Sequence, residues 1–173
     1  NNVNINAASV TADDTQENSW TITTVGTTSF TQQPTYSQVG ASKKPAKSIT
    51  FVGTLSESVN ITNFSAKFGG FSGTAGTITL KVNDVAVGTG SLNASDDVIV
   101  TNTKAATGKT LTIEVTGIAK GVKCYELSYT YQTSSSPTIT LSPETLSDFS
   151  YSVGQGPSAA QEFTLRGSNL NGI

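Results

Sequence analysis

Residues 76–90, GTITLKVNDVAVGTG, decide how this chain is read. Ile78, Leu80 and Val82 alternate with Thr77, Thr79 and Lys81, the period of a strand with one dry and one wet face. Asn83-Asp84 suits a two-residue hairpin turn, because both residue types tolerate the left-handed backbone such a turn requires. With that turn, Val82 is expected opposite Val85 and Leu80 opposite Val87. All five apolar side chains then share one face, and Thr79, Lys81 and Ala86 share the other. A sheet with one apolar face must bury it against a second layer, so the expected fold is all-β and antiparallel, a β-sandwich or a jelly roll.

The flanking sequence carries the same pattern. Residues 48–53 (SITFVG) place Ile49 and Phe51 on one face, and residues 59–68 (VNITNFSAKF) do the same with Phe64, Ala66 and Phe68. Residues 97–102 and 110–115 read as two further strands, expected to pair with each other. In 122–132 a stripe of Tyr125, Leu127, Tyr129 and Tyr131 alternates with Cys124, Glu126, Ser128 and Thr130. Trp20 and Ile22 mark a short strand, whereas 24–47, broken by Gly26, Pro34, Gly40 and Pro45, reads mainly as loop. The glycines of GGFSGTAG (69–76) lead into a strand. A phosphate loop leads into a helix, so they are turn or bulge residues.

Residues 1–18 are polar and are expected to be a leader or linker, contributing at most an edge strand. The sandwich is expected over 19–132, a Ser-rich linker over 133–137, and a further segment over 138–173. That segment has three short apolar alternations: Ile139 and Leu141; Phe149, Tyr151 and Val153; Phe163 and Leu165. About 37 residues are too few for an independent core without a disulfide or metal.

Composition excludes several functions. The 10 basic and 12 acidic residues are dispersed, giving a net charge of −2, and the cluster Lys43, Lys44 and Lys47 reads as a solvated loop; no nucleic-acid partner is expected. No apolar run is long enough to span a membrane. The single Cys124 makes no intrachain disulfide and is expected to act as a small buried hydrophobe. The absence of His removes the commonest general base and zinc ligand.

KSITFVGTLSESVNITNFSAKFGGFSGTAGTITLKVNDVAVGTGSLN (47–93) and LTIEVTGIAKGVKCYELSYTY (111–131) together resemble a β-sandwich module of secreted, multidomain Bacteroidetes-type proteins. ITLSPETLSDFSYSVGQGPSAAQEFTLRGSNLNG (139–172) is similar to the opening of an immunoglobulin-like repeat found in the same proteins, without the further strands that normally follow. The resemblance implies a jelly-roll-like β-sandwich and a secreted or cell-surface setting. Such modules sit beside hydrolases, nucleases or anchoring domains and serve as glycan binders or spacers.

The candidate residues follow from chemistry. Carbohydrate recognition uses aromatic platforms, and Tyr36, Phe30 and Trp20 are the candidates, although a lone Trp alternating with Ile22 is more often a core residue. Structural calcium would draw on loop carboxylates, for which Asp13, Asp14, Glu17, Asp96 and Asp97 qualify. A glycosidase pair would have to come from Asp13-Asp14, Asp96-Asp97, Glu114 and Glu126. Surface acids explain these better, so the expectation is a non-catalytic module whose partner is a glycan. The alternative is a spacer, adhesin or assembly subunit that meets another surface protein through the strand edges of 138–173.

Overall fold

A computed structural model describes residues 3–94, 97–133 and 138–168. The chain forms two compact units that meet in sequence at Thr133 and Ser134. The described residues contain strands and no helix: β1 (Val3–Asn6), β2 (Ser9–Asp13), β3 (Ser19–Val25), β4 (Ser29–Gln32), β5 (Ser37–Val39), β6 (Ser48–Gly70), β7 (Gly76–Val82), β8 (Val85–Leu92), β9 (Val98–Thr101), β10 (Ala106–Thr116) and β11 (Val122–Gln132) in the first unit, then β12 (Thr138–Ser142), β13 (Tyr151–Ser152), β14 (Gly156–Pro157) and β15 (Thr164–Ser168) in the second. The architecture is all-β and antiparallel, as the alternation at 76–90 requires.

The two strands expected at 48–53 and 59–68 are a single 23-residue strand, β6. Its first part lies between β3 and β10, with Phe51 opposite Ile22 on one side and Ile113 on the other. Its last part lies between β11 and β9, with Ala66 opposite Leu127 and Val100. Between these parts the pairing with β10 jumps from Thr54 to Val59, so residues 55–58 bulge out of the ladder. A bulge bends a strand and increases its twist, and here it carries β6 from one layer to the other. The layers are β2-β3-β6-β10-β7-β8 and β1-β4-β5-β11-β6-β9. They meet where Phe51 packs on Phe68, ring centroids 5.8 Å apart, and Trp20 on Tyr129, 6.3 Å apart.

The core is the inward set of this alternation. Leu111, Ile113 and Val115 of β10 stand between Val82, Leu80 and Ile78 on one side and Gly53, Phe51 and Ile49 on the other. Ile49, Ile61, Phe64, Ile78, Leu80, Leu111 and Ile113 have no exposed side-chain surface to speak of, and burying each contributes about 1.5–3 kcal/mol. The opposite face of the β10 layer is threonine-rich and bears a Lys81–Glu114 ion pair of 2.7 Å.

The hairpin differs from expectation in one detail. Asn83 and Asp84 have φ of 46° and 64°, the type I′ turn, and Val82 faces Val85. Beyond them a bulge sets Lys81 opposite Ala86 and Leu80 opposite Gly88, not Val87. The Val87 carbonyl accepts from the Thr103 amide (2.8 Å) and hydroxyl (3.1 Å), which draws it out of the ladder. Val87 stays buried, whereas Val85 at the tip is 59% exposed.

Other expectations change through long-range pairing. Residues 3–13 supply two edge strands where one was allowed for: β1 pairs with β4 and β2 with β3, one in each layer. The strand at 98–101 pairs with β6, not with its sequence neighbour β10. In the second unit β12 pairs with β15 and β13 with β14, and Phe149 lies outside any strand. Ile139, Leu141, Leu146, Phe149, Tyr151, Val153, Phe163 and Leu165 are all exposed, so the described part of this unit holds two ribbons without a core.

Candidate functional site

The site is organised by an irregularity in β11. The register with β6 runs Cys124 opposite Phe68, then Glu126 opposite Lys67, so Tyr125 is an extra residue without a partner. Alternation is interrupted there. Cys124, Leu127 and Tyr129 turn toward the core, and Tyr125 turns outward. The tyrosine stripe expected on one face is therefore split, because counting by twos fails across a bulge.

Outward, Tyr125 meets Tyr36 edge to face, ring centroids 5.6 Å apart. Tyr36 is set by the turn between β4 and β5, where the Gln33 amide donates to the Tyr36 carbonyl at 2.8 Å across Pro34. Two ammonium groups complete the patch: Lys67 Nζ lies 4.9 Å from the Tyr125 ring centre, and Lys123 Nζ 5.7 Å from Tyr36 and 4.9 Å from Phe71. Lys67 also pairs with Asp97 at 3.3 Å. Desolvation, then the hydrogen bond and charge of Asp97, raise the Tyr125 phenol above its ordinary value, so it stays protonated and donates to that carboxylate. Gly69 forms the floor: a Cβ there would lie 2.6 Å from Asp97 Oδ1 and 3.0 Å from Tyr125 Cε2. The result is a half-exposed pair of tyrosines edged by two cations and an acid.

Inward, Tyr129 belongs to a different cluster. Its hydroxyl donates to Asp14 Oδ2 at 2.6 Å and accepts from Asn18 Nδ2 at 2.8 Å. Asp14 also accepts from Trp20 Nε1 (3.0 Å) and from the amides of Gln16 (2.8 Å) and Asn18 (3.0 Å). Desolvation opposes the Asp14 charge, but the donors from Tyr129, Trp20, Asn18 and Gln16 outweigh it and hold the carboxyl down at about 2. The same burial, together with Asp14, pushes the Tyr129 phenol up. This cluster clips the β2–β3 turn to β11 and thus one layer to the other.

Trp20, a sequence candidate for stacking, is 4% exposed and belongs to the core. Its ring lies over Gly53, where a Cβ would be 2.4 Å from Cε2. Phe30 is likewise buried and faces a cavity between the layers. Tyr36 alone of the three reaches the surface patch. Tyr125, which completes that patch, was hidden by the bulge; Gly69, opposite Lys123 at the start of β11, is the sequence sign of a close approach there.

Among the calcium candidates, Asp14 spends its oxygens on N–H and O–H donors, and Asp97 on Lys67 and Tyr125. Asp13 and Glu17 are exposed, and Asp96 lies outside the described residues. No group of three or more Cys, Asp or Glu side chains among the described residues converges to hold a metal. No described helix could cross a membrane.

No family model matches the chain, and no curated protein does. Among solved structures it is similar to the enzymatically active domain of the bacteriophage CBA120 tailspike protein 4, at 13% identity and a TM-score of 0.29. The match covers 76% of this chain and 19% of that one. The chain thus spans about a fifth of the tailspike structure's length.

Proposed function

We propose that the first unit is a non-catalytic glycan-binding module of a secreted or cell-surface protein. The observation that carries this reading is the Tyr36–Tyr125 pair, presented outward with Lys67, Lys123 and Asp97 at its edges. A pyranose offers an apolar face to an aromatic ring and hydroxyls to flanking charged groups, and this patch supplies both partners. The engagement of Asp14 by four donors and of Glu114 by Lys81 supports a non-catalytic role, since neither carboxylate is left to serve as an acid or base. A glycan array with the full chain tests the proposal. Binding that falls at least tenfold in both Tyr36→Ala and Tyr125→Ala, with thermal unfolding unchanged, supports it; absence of any saccharide ligand refutes it.

A second reading has its own observation. The exposed apolar side chains of β12 and β15, Ile139, Leu141 and Leu165, suit a spacer or assembly segment completed by another surface protein through strand addition. A chain that binds no saccharide but changes oligomeric state on Leu165→Lys substitution would favour it.

A further inference from the structure

The net charge of −2 conceals a separation of charge along the first unit. At the end where β3, β5 and β10 finish, the loops 26–28, 40–47, 71–75 and 117–121 come together. The Lys47 amide donates to the Val25 carbonyl (2.7 Å), the Ala46 amide to the Lys120 carbonyl (3.2 Å) and the Ile118 amide to the Lys47 carbonyl (3.2 Å). Lys120 Nζ donates to the Ser72 carbonyl at 2.7 Å, and the Thr74 hydroxyl to the Gly121 carbonyl at 3.1 Å. The charged residues of these loops are Lys43, Lys44, Lys47 and Lys120, with no Asp or Glu among them. Asp14, Glu17, Glu57 and Asp84 lie toward the opposite end, with Lys104 and Lys109. Lysines remote in sequence thus share one surface.

Lys123 connects this end to the tyrosine pair. Its Nζ lies 5.7 Å from the Tyr36 ring centre and 4.9 Å from that of Phe71, the first residue of the 71–75 loop. The acids beside the tyrosines are on the side of Lys67: Asp97 pairs with it, and Glu126 faces it across the ladder. No described carboxylate forms an ion pair with Lys43, Lys44, Lys47, Lys120 or Lys123. Uncompensated ammonium groups on one surface repel one another, and a polyanion lying across them removes that repulsion. We propose that the Tyr36–Tyr125 site takes an acidic polysaccharide: one pyranose rests on the tyrosines, and the carboxylate or sulfate groups of the residues that follow meet Lys123 and the lysine-bearing end. This inference rests on the glycan-binding reading above and adds to it the charge of the chain and the direction in which it leaves the tyrosines.

Calorimetric titration of the full chain with two matched pairs of polymers tests the assignment: dextran sulfate against dextran, and polygalacturonate against its methyl ester. The acidic member of at least one pair should bind about tenfold or more tighter than the neutral one in about 0.05 M NaCl, and the advantage should shrink in about 0.5 M, where screening is stronger. Which pair responds separates sulfate from carboxylate recognition. Joint Lys43→Gln, Lys44→Gln and Lys47→Gln substitution, at exposed side chains, should weaken the acidic polymer about tenfold and leave the neutral one unchanged. Joint Lys104→Gln and Lys109→Gln substitution, at the opposite end, should alter acidic-polymer affinity by less than about twofold. Tyr36→Ala should weaken both members of a pair. Equal affinity for acidic and neutral polymers, equal losses in the two lysine variants, acidic-polymer binding indifferent to Tyr36→Ala, or equally tight binding of a single-stranded oligodeoxythymidylate would overturn this inference. Charge-blind saccharide binding would still leave the glycan reading standing, whereas failure of every polymer to bind would overturn both.

Discussion

Tyr125 and Tyr129 lie four residues apart on one strand, and each donates to an aspartate, yet they serve opposite ends. Tyr129 is buried, and with Trp20 and Asn18 it ties Asp14 into a link between the two layers. Tyr125 lies on the outer surface beside Tyr36, and its aspartate is shared with the half-buried Lys67. The same chemistry is structural where water is excluded and available for recognition where it is not. The intervening bulge assigns the roles, since without the extra residue both rings would point to one face.

The comparison breaks most severely at Asp14. Asp14→Ala leaves the Trp20 N–H and Tyr129 O–H without an acceptor, and should cost about 2–4 kcal/mol, lowering the Tm by roughly 6–15 °C. Saccharide binding by the molecules that remain folded should be unaffected. Gly53→Ala attacks the same cluster from beneath Trp20 and should cost about 1–3 kcal/mol in chemical denaturation, through overpacking.

Acid should distinguish the two pairs next. The Asp14 carboxyl is depressed from 3.8 to about 2 in the folded chain. Its stabilisation is therefore complete above the unfolded value and is lost as the pH falls from about 4 toward 2. Denaturant midpoints measured across that window should fall for the parent chain and change less in Asp14→Asn. The smallest effect belongs to the surface pair. Tyr125→Phe removes only the hydrogen bond to Asp97 and should alter stability by less than about 1 kcal/mol. Gly69→Ala, by crowding Tyr125 and Asp97, should reduce saccharide affinity more than it reduces the Tm. A large destabilisation by Tyr125→Phe would mean that the outer pair, too, holds the fold together.

Much of the fold was legible because side-chain period is local. The type I′ turn at Asn83-Asp84 and the buried faces of 78–82 and 111–115 follow from residues within one strand of each other. Irregularities were not legible. The displacement of Val87 depends on Thr103, and the outward turn of Tyr125 on a register shift against Phe68 and Lys67. Trp20 alternates with Ile22 whether its face is wet or dry; the approach of Tyr129 and Gly53 decides which. Tyr36 could be named as a candidate from its place in a broken loop, but its partner could not.

Alternation and turn chemistry determined that this chain is an antiparallel all-β protein with a threonine-rich exterior, since each acts over a few residues. Tertiary structure alone decided that β6 serves both layers, that residues 3–13 complete them, and which tyrosine faces water. Those outcomes depend on backbone hydrogen bonds between segments tens of residues apart, and one extra residue in such a ladder exchanges inside for outside.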